Sequence, residues 1–255
     1  MSRPKPVSFH ILGSRVDRVG FPEALESIQA LAQEPSLHQV VTVNTLMLLA
    51  AERDPLLRAA LREAALAVPE SWGVFWASRR LGNPLPSFVP GIDLMEALCA
   101  QASRQNQSVY LLGSKPGVAE AAAQALARRY PGLRIAGSRH GYFSAEEEGE
   151  VVDAIRAAAP DYLFVGMNMP GQEKWIYRHR SALGARVAMG VGGSFDVLSG
   201  RLRRAPAWVR RSGIEWAYRT LQEPWRLLRI KNLPVFMWKV RLSGRKTGPA
   251  PSPRP

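Results

Sequence analysis

The sequence has a single cysteine, Cys99, among 255 residues. One cysteine cannot form a disulfide framework, which favours a reducing compartment such as the cytosol. Because Cys99 lies in a stretch with helical periodicity, we expect it to fill the core rather than act as a nucleophile. The chain also lacks a run of about 18 apolar residues, and Arg3 and Lys5 are not followed by a sustained apolar segment. We therefore expect neither a transmembrane helix nor a signal peptide.

Sequence motifs for several cofactors are missing. The four histidines are widely spaced, and there is no cysteine pair and no Asp-x-Asp, so a reaction without metal or cofactor is the simpler interpretation. No Walker sequence supports ATP hydrolysis. Residues 190–196 are glycine-rich, but Phe195 stands where the dinucleotide fingerprint has its third glycine. This argues against a dinucleotide-dependent oxidoreductase, which strand–helix alternation would otherwise allow.

Acidic residues are scarce near the C-terminal end. Of the 34 basic residues, 13 lie between positions 201 and 246, where Glu215 and Glu223 are the only acids. Since the formal net charge of the whole chain is +13, the first 200 residues are nearly neutral. This distribution predicts a partner with many negative charges: phospholipid, nucleic acid or a diphosphate. Phe236 and Trp238 beside basic residues favour a membrane headgroup boundary, whereas a nucleic-acid-binding protein is supported by charge alone.

Apolar strands alternate with amphipathic helices through residues 1–200. This pattern predicts an α/β domain with a Rossmann-like parallel sheet and helices on both faces. The strands are expected at 39–43, 108–112, 133–136, 161–165 and 186–190, and a small hairpin at 7–19 turns at Gly13 and Ser14. Helices are expected, among other places, at 118–130 and 144–158.

Residues 201–246 are predicted to form a basic, helical, membrane-associating appendage. Apolar residues recur at helical spacing, and Pro224 is expected to divide the appendage into two helices. A helical hairpin that packs its apolar face on the main domain is the alternative. Residues 247–255 are Pro-rich, which predicts a disordered tail.

Polar residues follow the predicted strands, where parallel sheets bind ligands. Thr42 and Asn44 end the first strand, although Asn44 would also suit a helix cap. Glu70 follows a short apolar stretch at another predicted strand end, where a carboxylate can act as general base on an alcohol.

Two further segments follow predicted strands. Gln172 opens a helix and can both donate and accept hydrogen bonds, whereas its neighbours Glu173 and Lys174 are typical of solvated first-turn charges. Gly192 and Gly193 lie in a loop that would let a diphosphate approach the backbone. A tight structural turn is the alternative for this loop.

Eight segments, taken in order, resemble a known family. They are Thr42-Val43-Asn44, Pro90-Gly91-Ile92-Asp93-Leu94-Met95, Leu111-Leu112-Gly113, His140-Gly141-Tyr142-Phe143, Gly171-Gln172-Glu173-Lys174-Trp175, Gly190-Val191-Gly192-Gly193-Ser194-Phe195-Asp196, Arg204-Ala205-Pro206-x-Trp208, and Glu215-Trp216-x-Tyr218-Arg219 with Gln222-Glu223-Pro224. From about residue 40 to residue 229 the chain resembles the WecG/TagA/CpsF family, glycosyltransferase family 26.

The resemblance implies an inverting, metal-independent glycosyltransferase. Its donor would be a UDP-sugar carrying N-acetylmannosamine, its uronic acid or a related hexose. Its acceptor would be a sugar on undecaprenyl diphosphate, and the product would enter a cell-surface polysaccharide such as teichoic acid or exopolysaccharide. The resemblance also implies a protein held peripherally on the inner face of the bacterial membrane through an anionic lipid surface, with self-association into a homo-oligomer and no nucleic-acid partner.

Roles for individual residues follow from the resemblance. Glu70 would be the catalytic base. The substrate-binding residues would be Thr42, Asn44, Gln172, Gly192, Gly193, Asp196, Arg219 and Arg226. The two arginines would face a diphosphate, because the guanidinium fork suits phosphate oxygens. The sequence departs from the family pattern at Glu70-Ser71, where Asp-Gly is usual, and at Phe88, where arginine is frequent.

Overall fold

The structure is a computed structural model that describes residues 6–206, 209, 215–222 and 232–244, with side chains for all of these except 215–217, 219 and 244. The strands are β1 Ser8–Ile11, β2 Ser14–Asp17, β3 His38–Val43, β4 Leu66–Pro69, β5 Ser108–Gly113, β6 Arg134–Arg139, β7 Tyr162–Gly166 and β8 Val187–Gly190. The helices are α1 Phe21–Leu31, α2 Thr45–Ala51, α3 Pro55–Glu63, α4 Trp72–Arg80, α5 Gly91–Arg104, α6 Val118–Arg129, α7 Glu148–Ala158, α8 Gly171–His179, α9 Ser194–Leu198, α10 Glu215–Gln222 and α11 Asn232–Gly244.

Six parallel strands form the main sheet in the order β4-β3-β8-β7-β5-β6. The predicted α/β class with a parallel sheet is confirmed. The connection after β5 leads to β6 on one side, whereas the connection after the adjacent β7 leads to β8 on the other. Neighbouring strands with diverging connections leave a crevice at their carboxyl ends, where ligands bind in open α/β sheets.

The sheet is buried on both faces, which explains its continuous apolar strands. Leu111 and Phe164 pack on one face with α1, α5 and α6, and Cys99 lies fully buried there. The next residues along β5 and β7, Leu112 and Val165, point to the opposite face and pack with α7 and α8. The predicted core position of Cys99 is confirmed.

Several predicted boundaries differ from the structure, and β6 extends to Arg139, three residues beyond the strand predicted at 133–136. The hairpin of β1 and β2 turns at Leu12 and Gly13, which both have positive φ, one residue earlier than predicted. The helix predicted from Ser144 begins at Glu148 instead. Ser144 and Glu147 exchange two hydrogen bonds in the turn before it, so the capping residues precede the regular helix.

Helix α11 packs against α2 and α4 through one face. Phe236 and Val240 are fully buried among residues of these helices, and Lys239 forms an ion pair with Glu52. The assignment of Phe236 to a membrane boundary is therefore wrong, because its i, i+4 spacing with Val240 turns it toward the core. Trp238 is 61% exposed on another face. Pro224, Arg226 and the tail at 247–255 lie outside the described residues, and the predicted domain boundaries stay a prediction.

Candidate active site

A cavity of about 870 Å³ lies at the carboxyl edge of the sheet. Every strand of the main sheet contributes residues to its lining at or after its carboxyl end: Thr42 within β3 and Asn44 after it, Glu70 and Ser71 after β4, Ser114 and Lys115 after β5, Gly141 and Tyr142 after β6, Met167 and Asn168 after β7, and Gly192 and Gly193 after β8. The structure thus brings together seven of the predicted site residues, Thr42, Asn44, Glu70, Gln172, Gly192, Gly193 and Asp196.

A second depression, of about 970 Å³, lies at the opposite edge of the sheet. It is lined by residues at the amino ends of the strands, such as Gln107, Arg134 and Arg186. None of the predicted site residues whose side chains the structure describes lies in it. This depression is slightly larger than the cavity at the carboxyl edge. The cavity is nevertheless the better candidate, because ligands of open α/β sheets bind at the carboxyl ends of the strands.

The Glu70 carboxylate is held between two loops and a helix start. Its backbone N–H donates to the carbonyl of Val43 at 2.9 Å, which continues the pairing of β3 and β4. Oε2 accepts from Asn44 Nδ2 at 3.3 Å, and Oε1 accepts from the amide of Gly91 at 3.3 Å. A Cβ at position 91 would lie 2.9 Å from Oε1, so glycine is what lets the start of α5 approach this carboxylate. The predicted strand-end position of Glu70 is confirmed.

Asn44 caps a helix and also lines the cavity, whereas its predicted contact with substrate stays a prediction. Its Oδ1 accepts from the amide of Met47 at 3.0 Å and caps α2, so its Nδ2 is left to face Glu70. Thr42 is buried, and its hydroxyl donates to the carbonyl of Gly190 at 3.4 Å. These two residues therefore link β3 to the base candidate on one side and to β8 on the other.

Gln172 is only 4% exposed and faces protein groups. Its Oε1 accepts from the amides of Met167 and Gly192 at 3.3 and 3.0 Å, and its Nε2 donates to Glu173 Oε1 at 2.7 Å. The Gly192 amide is therefore already donating to a side chain. Substrate contacts by Gln172 and Gly192 stay predictions.

Sequence reasoning missed Glu173, which it treated as a solvated charge. Glu173 is 1% exposed, and burial raises its pKa to about 7, with the charge of Glu70 acting in the same direction. The signal was the inward face of α8, because the buried Ile176 lies three residues further along the same helix. Lys174 points elsewhere and pairs with Asp54, Nζ to Oδ2, at 2.8 Å. That ammonium holds the pKa of Asp54 below its usual value.

The two ends of the cavity differ in chemistry. Apolar side chains lie toward β4 and β3, and they are Leu46, Trp72, Phe88, Ile92, Met169 and Leu233. Toward β5, β6 and α9 the lining is polar and charged: Ser114, Lys115, Tyr142, Ser194, Asp196 and Arg201. Phe88, where the sequence departs from the family pattern that it resembles, belongs to the apolar end.

Described residues from position 201 onward contribute to the lining of this cavity. Thr220 and Gln222 of α10 line it, and Gln222 both accepts from and donates to the backbone of Arg203. Arg204 binds Asp93 and Glu96 of α5, which ties this segment to the main domain. The Arg219 side chain and Arg226 lie outside the described part of the chain, so their roles stay predictions.

In the ranges given above, no three His, Cys, Asp or Glu side chains are grouped as a metal site. Metal independence stays a prediction. Within the same ranges, no helix has both the length and the apolar character needed to cross a bilayer.

Comparison with known proteins decides the class. A model of the glycosyl transferase WecG/TagA/CpsF family matches residues 9–249. The chain belongs to this family. The glycosyltransferase is 37% identical over 246 residues, covering 96% of both chains, to the N-acetylglucosaminyldiphosphoundecaprenol N-acetyl-beta-D-mannosaminyltransferase of Staphylococcus aureus strain MW2. The proteins of the same name from strains MRSA252 and NCTC 8325 / PS 47 match with the same identity and coverage. The family resemblance read from the sequence is confirmed, and the oxidoreductase and nucleic-acid alternatives gain no support.

Proposed function

We propose that this glycosyltransferase moves an N-acetylmannosamine-type sugar from a UDP-sugar to N-acetylglucosamine on undecaprenyl diphosphate. The names of the Staphylococcus aureus relatives support this donor sugar and acceptor. The observation that carries the proposal is the placement of Glu70. Its carboxylate lies at the sheet edge in a cavity large enough for two substrates, between donors from Asn44 and Gly91.

The proposed reaction is a single displacement with inversion. Glu70 takes the proton of an acceptor hydroxyl, whose oxygen attacks the anomeric carbon of the donor. The bond from that carbon to the diphosphate breaks as the new glycosidic bond forms, and UDP leaves with the electron pair. The hydrogen bonds from Asn44 and Gly91 fix the orientation of the Glu70 carboxylate before the substrate binds, which lowers the entropic cost of the reaction.

The difference between the cavity ends supports an orientation for the substrates. The polar end, with Lys115, Asp196 and Arg201, suits the UDP part of the donor. The apolar end, with Trp72 and Leu233, suits the acceptor side near its lipid. Arg219 and Arg226 complete the proposal as diphosphate ligands, and they take the place of a metal ion in balancing the charge of the leaving group.

We place the enzyme peripherally on the inner face of the membrane. Helix α11 exposes Val235, Trp238 and Leu242, which share one side of the helix, beside Arg241. Apolar side chains flanked by basic ones bind an anionic headgroup layer.

Replacing Glu70 tests the proposal. Glu70→Gln keeps the shape but cannot accept the proton, so turnover with UDP-N-acetylmannosamine and lipid-linked N-acetylglucosamine is expected to fall by about 10²- to 10⁴-fold. Glu70→Asp, which restores the usual family residue, is expected to retain measurable turnover. The exposed Glu150→Gln serves as the matched control. Normal turnover by Glu70→Gln, measured by mass spectrometry of the product, would remove Glu70 from this role.

A further inference from the structure

The pair Gln172–Glu173 lies directly beneath the loop that follows β8. Glu173 does not line the cavity, and the reaction described above gives it no task. Yet it is a carboxyl group buried to 1% exposure, a position that acidic side chains seldom occupy. Its place is fixed from two sides, because Gln39 of β3 donates to its backbone carbonyl at 3.0 Å while Gln172 donates to its carboxyl at 2.7 Å.

Gln172 joins the loops after two neighbouring strands. Its Oε1 accepts from Met167, in the loop after β7, and from Gly192, in the loop after β8. An amide oxygen has two lone pairs, so both are used. If the amide turned over, its NH₂ group would face two N–H donors and both hydrogen bonds would be lost.

Glu173 decides which way the Gln172 amide faces. An NH₂ group can only donate, and Glu173 Oε1 supplies the acceptor that holds it. The end of β8 is shaped around the pair. A Cβ at Gly190 would lie 2.4 Å from Gln172 Nε2 and 2.9 Å from Glu173 Oε1, so the first glycine of the 190–196 run makes room for these side chains.

We propose that Glu173 is a positioning residue: by accepting from Gln172 it locks that amide, and through it holds the loops after β7 and β8 in the shape that receives the UDP end of the donor. This rests on the proposed function for the identity of the donor. The hydrogen bonds themselves do not depend on it.

A carboxyl group without charge can still accept from Gln172, and it suits a diphosphate bound above the loop. Glu173 Oε2 is buried without a hydrogen-bond partner, which suits a protonated acid better than a carboxylate. The titratable groups on the flanking elements are Glu70 after β4, Asp54 before α3, which pairs with Lys174, and Glu148 of α7, which contacts His179. Among these, the charge of Glu70 raises the pKa of Glu173. A negative charge beneath the loop would repel a diphosphate bound above it.

Two variants of Glu173 distinguish the effect of its hydrogen bond to Gln172 from the effect of its side-chain volume. Glu173→Leu keeps the volume but removes the acceptor, so the KM for the UDP-sugar and the Kd for UDP are expected to rise about tenfold, with the acceptor KM unchanged. Glu173→Gln keeps an acceptor oxygen and is expected to restore both constants to within about twofold of the original near pH 7. Lys174→Met is the matched control on the same helix, since it breaks an ion pair that does not touch either loop.

The pH profile supplies a readout that a purely structural role would not move. The donor KM of the unmodified enzyme is expected to rise as pH passes above about 7, whereas that of Glu173→Gln stays level. The inference is overturned if folded Glu173→Leu binds UDP as the unmodified enzyme does, or if the pH profiles of the unmodified enzyme and Glu173→Gln coincide. UDP binding is measured by calorimetry without acceptor. If the unmodified enzyme itself did not bind UDP, the proposed function would be contradicted instead. The failure of the proposed function can therefore be distinguished from the failure of this inference.

Discussion

Replacing Glu173 by glutamine is expected to flatten the pH dependence of the free energy of unfolding. Burial raises the pKa of Glu173 to about 7 in the folded protein, against an ordinary value of 4.5. Between these values the folded protein keeps a proton that the unfolded chain has released. The contribution to stability is therefore complete below about pH 4.5 and is lost as the pH rises through about 7.

The size of the effect follows from one proton. A single group gives a slope of about 1.4 kcal/mol per pH unit, so the window between the two pKa values amounts to about 3 kcal/mol. Glutamine has nearly the same shape and does not titrate. Its NH₂ group would stand where Oε2 has no partner, at a cost of about 1 to 3 kcal/mol that does not vary with pH. The slope, rather than the absolute stability, is the diagnostic quantity.

Urea unfolding at steps from about pH 5 to about pH 8 measures this slope. The free energy of unfolding of the unmodified enzyme is expected to fall more steeply across this range than that of Glu173→Gln. Glu150→Gln, an exposed control, should follow the unmodified enzyme. Parallel curves for the unmodified enzyme and Glu173→Gln would refute the reasoning, because they would mean that Glu173 is ionised in the folded protein as in the unfolded chain.

Two further predictions concern α11 and Asn44. Phe236→Ala should lower the free energy of unfolding by about 3 to 5 kcal/mol, because Phe236 is fully buried, whereas Trp238→Ala should change it by less than about 0.5 kcal/mol but weaken sedimentation with anionic liposomes. Equal stability of the two variants would contradict the docking of α11. Asn44→Asp keeps the acceptor that caps α2 but replaces the donor to Glu70 with a second carboxylate, so thermal stability should hold while turnover falls at least about tenfold. Normal turnover would separate Asn44 from the reaction.

The sheet and the base candidate were predictable because their signals are local. Apolar strands and the polar residues after them are consecutive in the sequence, which is why Asn44 and Glu70 were found at strand ends. The state of Glu173 was not predictable in this way. Its burial depends on Gln39, which is 134 positions away in the chain, and on a glycine that lets β8 come close.

The direction in which a side chain points was harder to predict than its position in the fold. Gln172 was placed at the site from its polarity, but the strands around it decide that its amide faces the loops. Phe236 and Trp238 are close in sequence and share a basic setting, yet one is buried in the domain and the other is exposed. The spacing of Phe236 with Val240 carried that information, and the aromatic and basic composition concealed it.

Helix α11 fixes the distance between the cavity and an exposed tryptophan. Leu233 lines the apolar end of the cavity, and Trp238 is exposed five residues further along the same helix, about 7 Å in axial rise. Since the helix is anchored by Phe236 and Val240, this separation is rigidly maintained. A bilayer that takes up Trp238 would therefore hold the cavity mouth at a fixed, short height above its headgroups.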